Sequence, residues 1–543
     1  MFRILFSMVP RRIARTTTRL GLALVLGAAL SLPAWSAGAG PDAFRQALAT
    51  SAAESDVVAR WYRAHGFVTL WTGPQDAQRR QALLAALDSA ADHGLPVNRY
   101  DAQALRAAFA TARTEGDRGR LEVAMTMAYL QFARDLSSGV LTPALIDPGI
   151  KRETTRPDPD WLMAAAQGPD FRRFLTSLAP HAPEYARLMK EKFRLEGLMA
   201  AGGFGPTIPA RALEPGDRGV AVIALRDRLV ALGYLTRSVT AVYDADIQSA
   251  VQRFQADRGI IPDGVAGEAT VKALNAGPED RLRSVIVAME RLRWLGNGPL
   301  GSRHIWVNQP AFTAQIVDDG AVTFETRVVI GKVGKDTESP EFSDQMEYMD
   351  INPTWSVPRS IVVKEYLPQL QADPNAQGQL QVIDSAGRVV PRGSVDFTAF
   401  TAANFPFAMR QPPMDGNALG KVKFMFPNPY NIYLHDTPSK SLFAKEVRSF
   451  SHGCIRLADP MDFAYTLLAR QSSNPRSLFQ SYLVKGTEAE LPLQQSIPVH
   501  LVYFTAWPNA RGGMDYFRDI YGRDAAVFAA LSEAGVQLAG PQG

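Results

Sequence analysis

Cysteine is scarce in this 543-residue sequence, because Cys454 is the only one. A single cysteine cannot form an intramolecular disulfide, which excludes a disulfide-stabilised scaffold. An excess of charge of one sign is also missing: the formal net charge is +4, and no long Lys/Arg run follows the N-terminus. This balance is compatible with an anionic ligand but does not support nucleic-acid binding, so we expect no nucleic-acid partner.

Long apolar runs are scarce as well, and the clearest one lies near the N-terminus. LGLALVLGAAL (20–30) is followed by Pro33 and small residues, and five arginines precede it: Arg3, Arg11, Arg12, Arg15 and Arg19. This order is typical of a secretory signal peptide, which we predict over residues 1–39. The run is short for a transmembrane span. An uncleaved signal would nevertheless anchor the protein in a membrane.

The full chain has the composition of globular protein, with 46% apolar and 21% charged residues. Its length predicts three or four domains. Residues 41–205 are predicted to form a helical scaffold domain, because LEVAMTMAYLQFARDL (121–136) and similar stretches carry apolar residues at helical spacing. The Gly/Pro-rich segment AGGFGPTIPA (201–210) is typical of a linker.

Residues 211–276 form a compact predicted unit of three short helices. Asp244 can cap the second helix, and PDGVAG (262–267) is typical of a tight turn. The stretch from Gly216 to Leu274 resembles the peptidoglycan-binding three-helix domain, with Phe254-Gln255, Asp263-Gly264, Gly267 and Thr270 where that pattern expects them. The alternative is a helical spacer without ligand affinity.

The last third of the sequence is predicted to be rich in β-structure. After a helix at 281–295, the segment that begins at His304 alternates apolar and polar residues, and Asp319-Gly320 predicts a hairpin turn. Residues 362–420 interrupt this pattern, and an insertion of that size indicates a cap or lid. We predict a multidomain α+β protein with a catalytic domain at 281–510 and a helical tail at 511–543.

The heptapeptide SHGCIRL (451–457) surrounds the single cysteine with polar residues. Cysteine is often buried as a small apolar residue, but His452 and Arg456 are costly to bury without partners. A metal site of His435, His452 and Cys454 lacks the paired spacing usual for zinc. A redox sensor lacks a resolving cysteine. These three interpretations are disfavoured but stay open, and the residues favour a nucleophile, whose thiol pKa Arg456 and the imidazoles would lower.

A cysteine nucleophile needs a base and donors for an oxyanion. Two of the seven histidines, His435 and His452, lie within 20 residues of the thiol, and spacing alone does not decide which is the base. Gly453 allows positive φ, and the backbone N–H groups near Gly453 and Cys454 are candidate oxyanion donors. Asp459-Pro460 predicts the start of the following helix.

The sequence from His435 to Leu457 resembles the L,D-transpeptidase signature, in which a histidine precedes Ser/Thr-His-Gly-Cys-x-Arg. Fifteen residues separate His435 from Ser451 here. INPTWSVPRSI, RQPPMDGNALGKVKFMFPNPYNIYLHDTP and PVHLVYFTAW are similar to the large periplasmic branch of that family. That branch has a helical scaffold, a peptidoglycan-binding domain and a capped catalytic domain. One departure is Ala458-Asp459, where some members have Asn soon after the arginine.

The resemblance implies a role for each residue of the site. Cys454 would be the nucleophile and His435, rather than His452, the proton acceptor and donor. The oxyanion site and pocket would be shaped by four supporting residues: Ser451, His452, Gly453 and Arg456. Tyr433 and Trp355 would face the substrate, or else belong to the core of the β-domain.

The resemblance also implies the reaction. Cys454 would form a thioester with a peptidoglycan tetrapeptide stem, releasing D-Ala, and a diamino-acid amine of another stem would complete a 3→3 cross-link. No cofactor or metal is expected, and other cell-wall synthesis proteins would be partners. Two alternatives use the same site: L,D-carboxypeptidation by water and attachment of wall proteins. A third is a non-catalytic peptidoglycan-binding protein. We expect a periplasmic location.

Overall fold

The structure is a computed structural model that describes residues 41–334 and 336–538. The predicted signal peptide at 1–39 lies outside the described residues. The architecture is multidomain α+β, as the sequence predicts: helices occupy the chain before residue 300, and strands predominate after it. Within the described ranges, no helix combines the length and apolarity needed to cross a membrane.

The N-terminal region packs its helices around one apolar core. Its α-helices are α1 (Pro41–Ala52), α2 (Asp56–Ala64), α3 (Ala77–Asp88), α4 (Ala102–Thr111), α5 (Glu115–Ser138), α6 (Pro143–Ile146), α7 (Pro159–Ala166), α8 (Phe171–Ser177) and α9 (Pro183–Ala200). Helix α5 contains the predicted stretch 121–136. It starts with a capping box, in which Thr114 Oγ1 accepts the Asp117 N–H at 3.1 Å and Asp117 Oδ2 accepts the Thr114 N–H at 3.0 Å.

The next unit has three helices and a core of its own. These are α10 (Val220–Ala231), α11 (Ala245–Asp257) and α12 (Glu268–Asn275), and α13 (Pro278–Leu295) follows directly. Asp244 caps α11 as predicted, because its Oδ1 accepts the Ile247 N–H at 3.0 Å.

The segment at 201–210, predicted as a linker, connects α9 to the three-helix unit and is docked against its neighbours. Phe204 and Ile208 are buried. The Arg281 guanidinium lies 4.6 Å from the centre of the Phe204 ring, and the Ile208 N–H donates to Asn275 Oδ1 at 2.8 Å. Glycine and proline shape this path, but the two apolar side chains fix it against its neighbours.

Fifteen strands occur in the described part of the chain. They are β1 (Arg303–Asn308), β2 (Thr313–Asp318), β3 (Ala321–Gly331), β4 (Phe342–Ile351), β5 (Trp355–Ser356), β6 (Gln381–Ile383), β7 (Val389–Val390), β8 (Ala408–Gln411), β9 (Val422–Met425), β10 (Leu434–His435), β11 (Ser449–Ser451), β12 (Ile455–Leu457), β13 (Ala489–Val502), β14 (Ala506–Pro508) and β15 (Met514–Tyr516).

Eight of these strands close into a barrel. The order is β3-β12-β10-β9-β4-β13-β1-β2, the pairing of β2 with β3 completes the ring, and β11 adds to β3 at the outside. The predicted hairpin is the β2–β3 turn, where Asp319 and Gly320 have φ of 49° and 82°. Closure leaves no free edge within the ring and encloses one apolar core.

A smaller four-stranded sheet, in the order β5-β8-β6-β7, is inserted between β4 and β9. It carries α14 (Arg359–Ile361), one π-helical turn (Val362–Tyr366) and α15 (Leu367–Ala372), and it has a separate apolar core. We call this inserted unit the cap. The first strand of the cap starts at Trp355, which pairs with Gln411. The sequence pattern placed the start of the insertion later, at residue 362.

The C-terminal part adds α16 (Pro460–Leu468), α17 (Pro475–Leu483) and α18 (Arg523–Glu533). Helix α16 begins after Asp459, as predicted, although the Asp459 carboxylate accepts from Thr326 Oγ1 at 2.8 Å and does not cap the helix. The region predicted as a helical tail also contains β15, and the start of α18 is buried.

Helix α13 has twelve of its eighteen residues buried and packs against α5, α9, α18 and β14. Arg291 pairs with Glu341 next to β4 and with Asp524 on α18, the latter at 2.8 Å. Burial opposes the charge of Arg291, but these two carboxylates outweigh it and raise the pKa of the guanidinium. The buried ion pairs therefore join α13, the barrel and α18.

Replacing Arg291 with Met should destabilise the protein, because Asp524 then stays buried without that cation. We expect a loss of about 3–5 kcal/mol in the free energy of unfolding, measured by urea denaturation followed by circular dichroism. The matched control is Arg211→Met, whose pair with Glu268 is 86% and 73% exposed and should matter by about 0–1 kcal/mol. Equal midpoints for both variants would contradict a structural role for this pair.

Candidate active site

Cys454 lies in a tight turn between β11 and β12. Ser451 holds this turn, because its Oγ donates to the Cys454 carbonyl at 2.6 Å and accepts the Gly453 N–H at 3.2 Å. Gly453 has φ of 112°, which favours glycine, and a Cβ there would lie 3.2 Å from Ile432 Cδ1. The turn presents a partly exposed thiol.

Strand pairing places His435 beside this turn. Strands β10 and β12 run parallel, with Leu434 opposite Ile455 and His435 opposite Arg456. Parallel neighbours need a crossover of a dozen or more residues, and the chain between the two strands provides it. This crossover gives a physical reason for the fifteen residues between His435 and Ser451.

His435 is 4% exposed, and its Nδ1 is 2.5 Å from the Asp436 carbonyl. A carbonyl only accepts, so Nδ1 carries the proton and Nε2 is left as an acceptor. Burial, and then the positive charge of Arg456, lower the pKa of His435 to about 3. The imidazole is therefore neutral near pH 7, the state that a proton acceptor requires.

The Cys454 thiol donates to the Asn431 carbonyl at 3.6 Å. Burial raises the pKa of this thiol, and hydrogen bonds to Tyr433 and the charges of Lys423 and Arg456 only partly offset it. The expectation of a lowered thiol pKa was therefore wrong in its net direction. The physical reason is that desolvation disfavours the thiolate and the neutral His435 supplies no positive charge.

His452 is turned toward the cap. Its Nε2 is 2.6 Å from Glu365 Oε1 and 3.1 Å from Lys332 Nζ. Partial burial opposes ionisation of Glu365, but His452 and Lys332 outweigh it and lower the pKa of that carboxyl. His452 thus links the cysteine turn to the π-helical turn of the cap.

The cap and the barrel enclose a cleft of about 1030 Å³. It brings together seven of the eight predicted site residues: Trp355, Tyr433, His435, Ser451, His452, Cys454 and Arg456. Tyr433 packs on His435 with ring centres 5.6 Å apart, and Trp355 contributes from the cap. Gly453 is buried beneath them, and its N–H is already taken by Ser451.

The Cys454 N–H has no hydrogen-bond partner among the described residues. Within the same ranges, no group of three or more His, Cys, Asp or Glu side chains is placed to hold a metal ion. Of the two predicted oxyanion donors, the amide of Cys454 itself is therefore the one left free to bind a ligand.

Sequence reasoning missed four polar residues around the site: Asn431, Asp436, Lys332 and Glu365. Asp436 fixes the end of β10, because its carboxylate accepts the Lys421 N–H at 2.9 Å and the Lys440 ammonium at 2.8 Å. Its position directly after His435 in the sequence could have identified it as a residue of the site. Lys332 and Glu365 are far from Cys454 in sequence and become neighbours only through the fold.

A partly exposed thiol, a neutral buried imidazole and an amide with no partner among the described residues, all in one cleft, are features of a cysteine acyl-transfer site. Family comparison gives the particular class. Residues 302–487 match the L,D-transpeptidase catalytic domain, 218–274 the "Putative peptidoglycan binding domain" and 56–191 the "Scaffold domain". Residues 302–487 therefore form an L,D-transpeptidase catalytic domain, which confirms the resemblance for this part of the chain.

Two curated relatives match part of the chain. The "Putative L,D-transpeptidase" of Haemophilus influenzae is 32% identical over 225 residues, which is 41% of this chain and 45% of that protein. The "N-acetylmuramoyl-L-alanine amidase CwlM" of Mycobacterium tuberculosis is 33% identical over 147 residues, 25% of this chain and 33% of that protein. The chain thus spans less than half the length of either relative.

Solved structures with matching regions include two L,D-transpeptidases. That of Xylanimonas cellulosilytica is 15% identical and covers 55% of this chain and 98% of its own, with a TM-score of 0.17. That of Stackebrandtia nassauensis is 16% identical and covers 55% and 97%, with a TM-score of 0.22.

Alkylation of Cys454 should reveal its raised pKa. The thiolate is the reactive form, so the rate with iodoacetamide should rise with pH to a midpoint above that of an ordinary thiol. Intact-mass spectrometry measures this rate at one site, because the sequence has no other cysteine. Free cysteine in the same buffer is the control. A midpoint below pH 7 would indicate a preformed thiolate and contradict the assignment.

Proposed function

We propose that this protein is an L,D-transpeptidase that forms 3→3 cross-links between peptidoglycan stems through a thioester on Cys454. The observation that carries the proposal is the parallel pairing of β10 with β12, which sets neutral His435 beside the cysteine turn. The family match over residues 302–487 supports the same class of reaction.

In the first half-reaction, the Cys454 thiol passes its proton to His435 Nε2 as sulfur attacks the carbonyl between the diamino acid and terminal D-Ala of a tetrapeptide stem. The Cys454 N–H stabilises the oxyanion. The C–N bond then breaks, and D-Ala leaves as an amine with the proton from His435. A thioester remains on Cys454.

In the second half-reaction, the side-chain amine of another stem attacks the thioester carbonyl and gives its proton to His435. The C–S bond breaks, and the proton returns to the Cys454 sulfur, so both catalytic groups are restored. Because both groups rest in their neutral forms, proton transfer accompanies the attack on the carbonyl and does not precede it. Arg456 lines the cleft and adds positive charge near the developing anion.

The cap supports transfer to an amine rather than to water, because it covers the cleft and contacts His452 through Glu365. We assign Trp355 and Tyr433 to the stem peptide, since both line the cleft. The unit at 211–276 would bind peptidoglycan, and the predicted signal would deliver the protein to the periplasm.

Incubation of the purified protein with tetrapeptide muropeptides should yield 3→3 dimers and free D-Ala, as read by mass spectrometry. Cys454→Ala should abolish both products, because the thioester cannot form. The matched control is Ser481→Ala, an exposed position on α17. Tripeptides alone would instead favour carboxypeptidation, and stems joined to a protein amine would favour wall-protein attachment. Full activity of Cys454→Ala would exclude the thioester mechanism.

The base can be identified by comparing His435→Ala with His452→Ala in single-turnover acylation by a tetrapeptide donor. Loss of a general base should slow acylation about 10²- to 10⁴-fold in His435→Ala. His452→Ala should lose less, because that imidazole contacts Glu365 of the cap. A larger loss in His452→Ala would reverse the two roles.

A further inference from the structure

Ser339 is a fully buried residue of the loop between β3 and β4. Its hydroxyl donates to the Gly453 carbonyl at 2.6 Å and accepts the Gly331 N–H at 2.9 Å. It therefore contacts the residue that directly precedes Cys454, although it is more than a hundred positions away in sequence. Among the described residues, no hydrogen bond joins it to the Cys454 thiol or the His435 imidazole.

The Gly453 carbonyl and the Cys454 N–H belong to the same peptide unit. A trans peptide is planar, so its C=O and N–H point in opposite directions. A hydrogen bond that fixes the carbonyl of Gly453 therefore also fixes the direction of the Cys454 N–H. That N–H is the amide left without a partner among the described residues.

The C-terminal segment holds Ser339 in place. The Tyr521 hydroxyl donates to the Gly331 carbonyl at 2.7 Å and accepts the Ser339 N–H at 3.3 Å. Arg523, 1% exposed, donates from Nη1 to the Ser339 carbonyl at 3.0 Å. Both residues lie beyond 487, where the match to the catalytic domain ends.

We propose that Ser339, held by Tyr521 and Arg523, is a positioning residue that aims the Cys454 N–H at the oxyanion. The inference rests on Cys454 being the nucleophile of the proposed function. The oxyanion donor is then oriented from beneath the cysteine turn, and Tyr521 and Arg523, the residues that hold Ser339, lie outside the matched domain. The hydrogen bond at the carbonyl also polarises the N–H of the same peptide.

The test compares two reactions of the same sulfur. p-Nitrophenyl acetate acylates Cys454 through an oxyanion and releases p-nitrophenolate, whereas iodoacetamide alkylates it by displacing iodide, with no oxyanion. In Ser339→Ala, acylation should fall about 10- to 100-fold, because a misdirected donor loses part of its stabilisation. Alkylation should stay within about twofold, since thiol access and ionisation are kept. Ser339→Thr, which retains the hydroxyl, should restore acylation.

Tyr521→Phe provides a second variant if Ser339→Ala does not fold, and it should show the same selective loss at smaller size. Ser532→Ala, an exposed position on α18, is the control. Unchanged acylation, or a parallel loss of both reactions, would overturn the proposal. Because the ester probe carries no stem peptide, inactivity of the wild type on tetrapeptides would count against the proposed substrate alone.

Discussion

The buried ion pairs around Arg291 and Arg523 are the interaction on which the rest of the structure depends. They join four parts of the chain, because Arg291 binds Glu341 and Asp524, and Arg523 reaches Glu338 and Asp147. Charges so deeply buried are tolerated only when each one has partners. Loss of one partner would leave the other charge buried and uncompensated, so these pairs fix how the helical domain, α13, the barrel and α18 are arranged.

Burial also sets the chemistry of the cleft. Desolvation acts in opposite directions on the two groups, since it raises the pKa of Cys454 and lowers that of His435. Both effects favour the neutral pair over thiolate and imidazolium. A bound substrate would displace water from the cleft. The negative charge on the oxyanion and the positive charge on His435 would then form only during the reaction.

Local patterns in the sequence predicted the structural features that depend on residues nearby in the chain: the helix around 121–136, the hairpin at Asp319-Gly320 and the positive φ of Gly453. The resemblance around SHGCIRL pointed to the cysteine and to His435. The remaining features of the site depend on contacts between residues that are far apart in the sequence. The fold brings Glu365 and Ser339 next to the site, although both are far from Cys454 in sequence. The raised pKa of the thiol follows from its burial, which a short motif does not encode. At 201–210, composition predicted a linker but not the burial of Phe204 and Ile208.

That docked segment has a consequence for how two binding sites on one chain would act together. A flexible tether would let the three-helix unit search a wide volume and would raise the effective concentration of any polymer it holds. Here Arg228 donates to the carbonyls of Gly205 and Pro206, and the Arg258 guanidinium lies 4.4 Å from the centre of the Tyr516 ring on β15, so the unit is held against its neighbours. Avidity would then arise only for a polymer whose own spacing matches the distance between the two sites.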